Sequence, residues 1–141
     1  MKTIFLGTVG AAAAVLSLGA GSAVAASHTG PVTVLKYVAT DSGQVGFGRS
    51  QGAGAGDLVA NSKPAGFFVL SFKFTKTSGT AGLTADVKGG FIYAVLHLNS
   101  KNNNAFGPVT GGTGKYTGAE GTVAAIGTGK HTHNVTITLS G

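Results

Sequence analysis

The stretch GFFVLSFKFT, residues 66–75, carries the strongest secondary-structure signal in the 141-residue sequence. Large apolar side chains occupy positions 68, 70, 72 and 74, whereas positions 71 and 73 hold Ser and Lys. Alternation with a period of two residues is typical of a β-strand that buries one face. Residues 66–75 therefore predict a strand in a sheet with one buried face.

The chain on either side of this strand consists of short runs of Val, Ile, Thr, Phe and Tyr separated by Gly, Asn, Ser and Pro. That composition is typical of strands and turns, and no window has the 3.6-residue apolar period of a helix. The residues 52–56, GAGAG, fit either a flexible loop or a strand at a tight bend. About eight strands are expected, drawn from residues 32–39, 44–51, 57–60, 66–75, 83–88, 90–99, 107–110, 118–126 and 131–139.

Strands without helices predict either a β-sandwich or a β-barrel. We expect an eight-stranded antiparallel closed β-barrel, because a small sheet with open edges is prone to edge-to-edge aggregation. The interior of such a barrel is either filled by side chains or holds one small ligand.

Residues 1–25 predict a cleaved signal peptide. Lys2 precedes an uncharged run rich in Ala and Gly, which ends in the small-residue pattern Ala23-Val24-Ala25. A membrane anchor is the alternative, because the run is just long enough to span a bilayer. The weak hydropathy and the Ala-x-Ala pattern favour cleavage, so we expect a secreted protein with one domain at residues 26–141. We expect no stable membrane insertion after cleavage, and association with the cell wall is an option.

The charge pattern argues against nucleic acid as a partner. The sequence has ten Lys and Arg against four Asp and Glu, and loss of Lys2 with the signal peptide leaves a formal charge of +5. The basic residues are scattered singly and form no stripe, which is typical of a solvated surface. There is no cysteine, so disulfides cannot stabilise the domain.

The glycine-rich residues 111–118, GGTGKYTG, resemble a phosphate loop only superficially. A Walker loop needs Gly where this sequence has Val109, and Ser or Thr where it has Tyr116. We therefore interpret these glycines as a tight connection between strands.

The same segment carries a family resemblance. VTGGTGKY at residues 109–116, followed by GAEGTV at residues 118–123, resembles the late signature of dirigent proteins and allene oxide cyclases. GRSQG at residues 48–52 and the Phe-x-Phe ending of the strand at residues 67–74 are similar to earlier parts of the dirigent pattern. The resemblance implies an eight-stranded barrel with a central pocket, which forms dimers or trimers and uses no metal or organic cofactor. It also implies a small hydrophobic ligand whose cyclisation or radical coupling the pocket steers.

Candidate site residues follow from the resemblance and from strand geometry. Asp41 matches the acidic position after the first dirigent strand, while Tyr93 and His97 share one strand face and could exchange protons at a pocket wall. A surface or interface pair is the alternative for Tyr93 and His97. The candidate catalytic residues are Asp41, Tyr93 and His97, and the candidate ligand-binding residues are Arg49, Phe72 and Tyr116.

His131 and His133 place two imidazoles on one strand face, which is half of a possible metal site. A zinc site normally needs three or four ligands, and no third ligand is evident. We therefore expect no metal.

Residues 90–99 are apolar on both faces for most of their length. One face can line the barrel, and the other needs a cover that a second subunit would supply. We therefore expect a homodimer or homotrimer. The sequence leaves three functions open: a ligand-binding barrel that steers a reaction, a carrier without turnover, and a structural or cell-surface protein.

Overall fold

The computed structural model describes residues 30–140, which form one closed β-barrel. Each strand pairs antiparallel with the next, and β1 pairs with β8 to close the barrel. The predicted eight-stranded antiparallel closed barrel is confirmed, while the predicted signal peptide lies outside the described residues. The strands are β1 (Val32–Phe47), β2 (Gln51–Ala60), β3 (Lys63–Phe74), β4 (Gly79–Val87), β5 (Gly90–Asn99), β6 (Asn104–Gly112), β7 (Glu120–Gly127) and β8 (Thr132–Ser140).

The core follows directly from the period-two pattern of the sequence. On β4, β5 and β8, buried residues alternate with exposed or half-buried ones, because successive side chains point to opposite faces of a strand. Ile92, Val123 and Ile137 are the largest side chains that are fully buried. Within residues 30–140, no helix has the length and hydropathy needed to cross a membrane.

The run GAGAG is strand, not a flexible loop, and belongs to β2. Gly52, Gly54 and Gly56 are buried on the inner face of β2 and pair across to Phe72, Leu70 and Phe68 of β3. A Cβ atom at Gly52 would lie 2.5 Å from the Phe72 ring, and one at Gly56 would lie 2.6 Å from the Phe68 ring. The glycines of β2 therefore make room for the aromatic rings of β3.

The first strand differs from the expected pattern. Residues 44–51 were predicted as a separate strand, but β1 continues to Phe47 and β2 begins at Gln51. The strand continues through a β-bulge between Asp41 and Gly43, where Ser42 has no partner in the register. The extra residue changes the parity of the inward positions, so both Asp41 and Gln44 face the interior.

The connection between β6 and β7 closes one end of the barrel. It contains a 3₁₀ turn at Gly114–Tyr116, and the Tyr116 side chain is only 4% exposed. The Tyr116 hydroxyl donates a hydrogen bond of 3.0 Å to the carbonyl of Lys88. Lys115 donates its backbone N–H to the Gly89 carbonyl at 2.9 Å. The segment that resembles a phosphate loop thus has a structural role at this end.

Candidate functional site

The barrel contains a cavity of about 470 Å³ at the end opposite Tyr116. Its wall is apolar, and all eight strands contribute to the lining; β2 contributes only Leu58, and β6 contributes only its first two residues. Short side chains leave the space: Ala39, Ala81, Ala85, Ala105 and Ala125 line the cavity beside Leu, Ile, Val and Phe residues. A volume of this size falls in the range of about 300–1,000 Å³ that is usual for small-molecule sites.

The mouth of the cavity is polar, in contrast to the wall. Polar residues come from β1 and from the ends and turns of β5–β6 and β7–β8, which meet at this end of the barrel. We call this set the mouth: Asp41, Gln44, Asn99, Ser100, Asn103, Asn104, Lys130, His131 and His133.

Pairing of β1 with β8 places an acid beside the two histidines. Ala39 lies opposite His133 in the register, and the Asp41 backbone N–H donates to the His131 carbonyl at 2.9 Å. Asp41 and His131 are therefore neighbours across the strand pair, and both line the cavity. The Gln44 amide nitrogen lies 3.4 Å from the Asp41 carboxylate, to which it donates.

The β7–β8 turn fixes the basic side of the mouth. Thr128 donates its backbone N–H to the Thr132 carbonyl at 3.0 Å, and the two hydroxyls are 3.1 Å apart. These bonds hold the turn that carries Lys130 and His131. His133 follows as the second residue of β8, and both histidines line the cavity.

The structure separates the six predicted site residues into different places. Asp41 lies at the mouth and Phe72 lies on the wall of the cavity, although their roles stay predictions. Tyr93 and His97 lie on the outer face of β5, where Tyr93 is 37% exposed. The hypothesis that this pair lies on a pocket wall is wrong, because Ile92, Ala94 and Leu96 are the residues that face inward on β5; the alternative of a surface pair agrees with the observed position.

The other two predicted ligand-binding residues also lie away from the cavity. Arg49 is exposed in the turn between β1 and β2, and Tyr116 is buried at the closed end. Neither residue lines the cavity.

Sequence reasoning did not assign the amides and Lys130 of the mouth to a site, and it considered His131 and His133 only as metal ligands. Their position in the sequence could have identified them, because these residues flank two turns that lie at the same end of an antiparallel barrel. No group of three potential metal-ligating side chains occurs within residues 30–140. The site is therefore described by its apolar wall and its hydrogen-bonding mouth.

Tyr37 is a further titratable residue inside the barrel, toward the closed end. Burial raises the pKa of the Tyr37 hydroxyl, and the neighbouring Tyr116 raises it further. Tyr37 does not line the cavity, so this group concerns stability rather than the site.

Comparison with known proteins supports the fold. No family model and no curated protein matches the chain. A pyocyanin demethylase has a similar structure, with a TM-score of 0.67 and 17% identity over 76% of this chain and 99% of that one. AbnU, an exo-specific intermolecular Diels-Alderase, has a TM-score of 0.66 and 12% identity over 79% of this chain and all (100%) of that one. Likeness at these identities concerns the barrel fold alone.

Proposed function

We propose that this protein binds one small, mainly apolar organic molecule inside the barrel. The observation that carries the proposal is the cavity of about 470 Å³, which has an apolar wall and a polar mouth at one end. Such a combination is usual for small-molecule sites, in which apolar contacts supply affinity and a few polar groups fix orientation.

The chemistry that suits this site is the steering of a cyclisation or coupling reaction. The titratable groups that line the cavity, Asp41, Lys130, His131 and His133, all lie at the mouth, and the wall has none. A wall of this kind can hold a flexible molecule in a reactive shape, because positioning alone lowers the entropic part of a barrier. The dirigent and allene oxide cyclase resemblance supports this proposal, as does the Diels-Alderase named among the similar structures.

A carrier without turnover is the second candidate. It is favoured by the same absence of acids and bases from the wall, since a transport protein needs only the apolar volume. Conversion of a bound molecule, followed by product analysis, distinguishes the two candidates.

Binding can be tested with N-phenyl-1-naphthylamine, an uncharged dye whose fluorescence rises in apolar surroundings. Ala125 lines the cavity, whereas Ala124 is the adjacent residue of β7 on the outer face. We expect saturable binding to the wild type and to Ala124→Phe, and weaker binding to Ala125→Phe because the phenyl ring projects into the cavity and reduces its volume. Equal binding to both variants would place the dye outside the barrel and contradict the proposal.

Export and assembly remain part of the proposal. The signal-peptide pattern at residues 1–25 supports secretion. An apolar outer face supports a homodimer or homotrimer; this outer face consists of Phe67, Val69, Phe91, Tyr93, Val95 and Phe106, each at least 36% exposed.

A further inference from the structure

The turn between β5 and β6 presents amide donors to the cavity. The Asn99 side-chain oxygen accepts the backbone N–H of Lys101 at 2.9 Å, and the Asn104 oxygen accepts the backbone N–H of Gly127 at 3.0 Å. A backbone N–H donates a hydrogen bond and therefore pairs with the oxygen of a side-chain amide, not with its nitrogen. These two bonds therefore show that the oxygen of each Asn side chain is occupied and that its nitrogen is not. The NH₂ groups of Asn99 and Asn104 therefore remain available as hydrogen-bond donors at the mouth.

The neighbouring side of the mouth, at the β7–β8 turn, is basic. Lys130 and His131 belong to the β7–β8 turn, which the hydrogen bond between Thr128 and Thr132 closes. His133 follows on β8 and also lines the cavity. Asp41 is the single acidic residue among the residues that line the cavity. Its carboxylate accepts a long hydrogen bond from Gln44, and its backbone N–H donates to the His131 carbonyl. The mouth thus combines several hydrogen-bond donors with one carboxylate, and that carboxylate already accepts a hydrogen bond from Gln44.

We propose that the mouth binds an oxyanion, so that the ligand is an amphipathic molecule with an apolar body and a carboxylate, sulfate or sulfonate head. This inference rests on the proposed function, because the apolar body occupies the cavity wall. The amide NH₂ groups and the Lys130 ammonium donate to the oxyanion, and hydrogen bonds to ionised groups are the stronger kind. The cavity extends from His133 to Ile137 along β8, about 14 Å at roughly 3.4 Å per residue. An eight-carbon chain suits this depth.

The test is calorimetric titration of the full chain with octanesulfonate, 1-octanol and octylammonium. We expect octanesulfonate to bind about threefold or more tighter than 1-octanol, as for a partly screened charge interaction, and octylammonium to bind weakest. The variant Asn104→Asp keeps the acceptor for the Gly127 N–H but replaces the NH₂ donor by an oxygen. We expect it to weaken octanesulfonate binding by about tenfold and leave 1-octanol binding unchanged.

Matched controls lie in the same turn. Asn102 also accepts a backbone N–H through its side-chain oxygen, from Asn104 at 3.1 Å, and Lys101 is exposed; neither residue lines the cavity. Asn102→Asp and Lys101→Gln should therefore weaken octanesulfonate binding much less than Asn104→Asp and Lys130→Gln.

The outcomes separate this inference from the proposed function. If 1-octanol binds as tightly as octanesulfonate, or if octylammonium binds best, the oxyanion proposal is overturned while ligand binding stands. It is also overturned if the uncharged naphthylamine dye binds and octanesulfonate does not. If neither the dye nor any octyl compound binds, the proposed function itself fails.

Discussion

At the scale of single residues, the close approach of strands β1, β2 and β3 requires Gly56. A Cβ atom there would collide with the Thr40 carbonyl oxygen of β1 and lie 2.6 Å from the Phe68 ring of β3. A Cβ atom at Gly54, two residues away on the same face, would lie 3.4 Å from the nearest atom, the Gln44 Cγ. The two glycines are alike in sequence context but differ in the space around them.

We expect Gly56→Ala to lower the free energy of unfolding by about 1–3 kcal/mol, the usual cost of overpacking a well-packed core. Gly54→Ala should change it by less than about 0.5 kcal/mol. Urea unfolding followed by circular dichroism measures both. Equal stability of the two variants would show that β1 and β3 yield to the added methyl group.

Tyr37 makes stability depend on alkaline pH. Its pKa is raised in the folded state by burial and then by Tyr116, from the ordinary value of 10.0. Above that value the unfolded chain loses the Tyr37 proton while the folded chain keeps it, so the free energy of unfolding falls as the pH rises. We expect Tyr37→Phe to reduce this fall between pH 9.5 and pH 11, measured by urea unfolding at each pH. Identical slopes for the variant and the wild type would contradict the assignment.

At the scale of elements, the β6–β7 connection closes the barrel through Tyr116. We expect Tyr116→Phe to cost about 0.5–1.5 kcal/mol of stability, because one hydrogen bond to the Lys88 carbonyl is lost. Tyr116→Ala should cost about 3 kcal/mol or more, because it empties the closed end. Thermal unfolding measures both, with Tyr93→Phe on the outer face as the matched control. A cost for Tyr93→Phe equal to that for Tyr116→Phe would mean that the Lys88 contact contributes nothing.

The sequence predicted elements better than it predicted the site, for a physical reason. The alternating pattern identified β3 and β5 because every second residue of each strand faces the interior of the barrel. Alternation cannot say which face is the inner one when both are apolar, and for this reason the sequence leaves Tyr93 and His97 open between a pocket wall and the outer surface. The bulge at Asp41 could not be predicted either, because it depends on how β1 pairs with β2. The mouth depends on turns that are distant in sequence and meet only in the closed barrel.

At the scale of the whole molecule, the apolar outer face of Phe67, Val69, Phe91, Tyr93, Val95 and Phe106 is exposed. We expect the protein to form a homodimer or homotrimer through this face, with Val95 near its centre between Tyr93 and His97 on β5. Multi-angle light scattering should give a multiple of the chain mass for the wild type and the single-chain mass for Val95→Lys. Val34→Lys on β1, where Val34 is 50% exposed, is the control and should remain oligomeric. A monomeric wild type at tens of micromolar would contradict this expectation.

Binding inside the barrel is tested most directly by native mass spectrometry of the protein purified from its own source culture. We expect each wild-type chain to retain one discrete small molecule, and we expect Ala125→Phe, produced in the same way, to retain much less of it. A bare wild-type chain, even after incubation with an extract of the source cells, would contradict ligand binding in the cavity. The same retained mass at the same occupancy on Ala125→Phe would contradict it equally, because the added phenyl ring takes up part of the cavity.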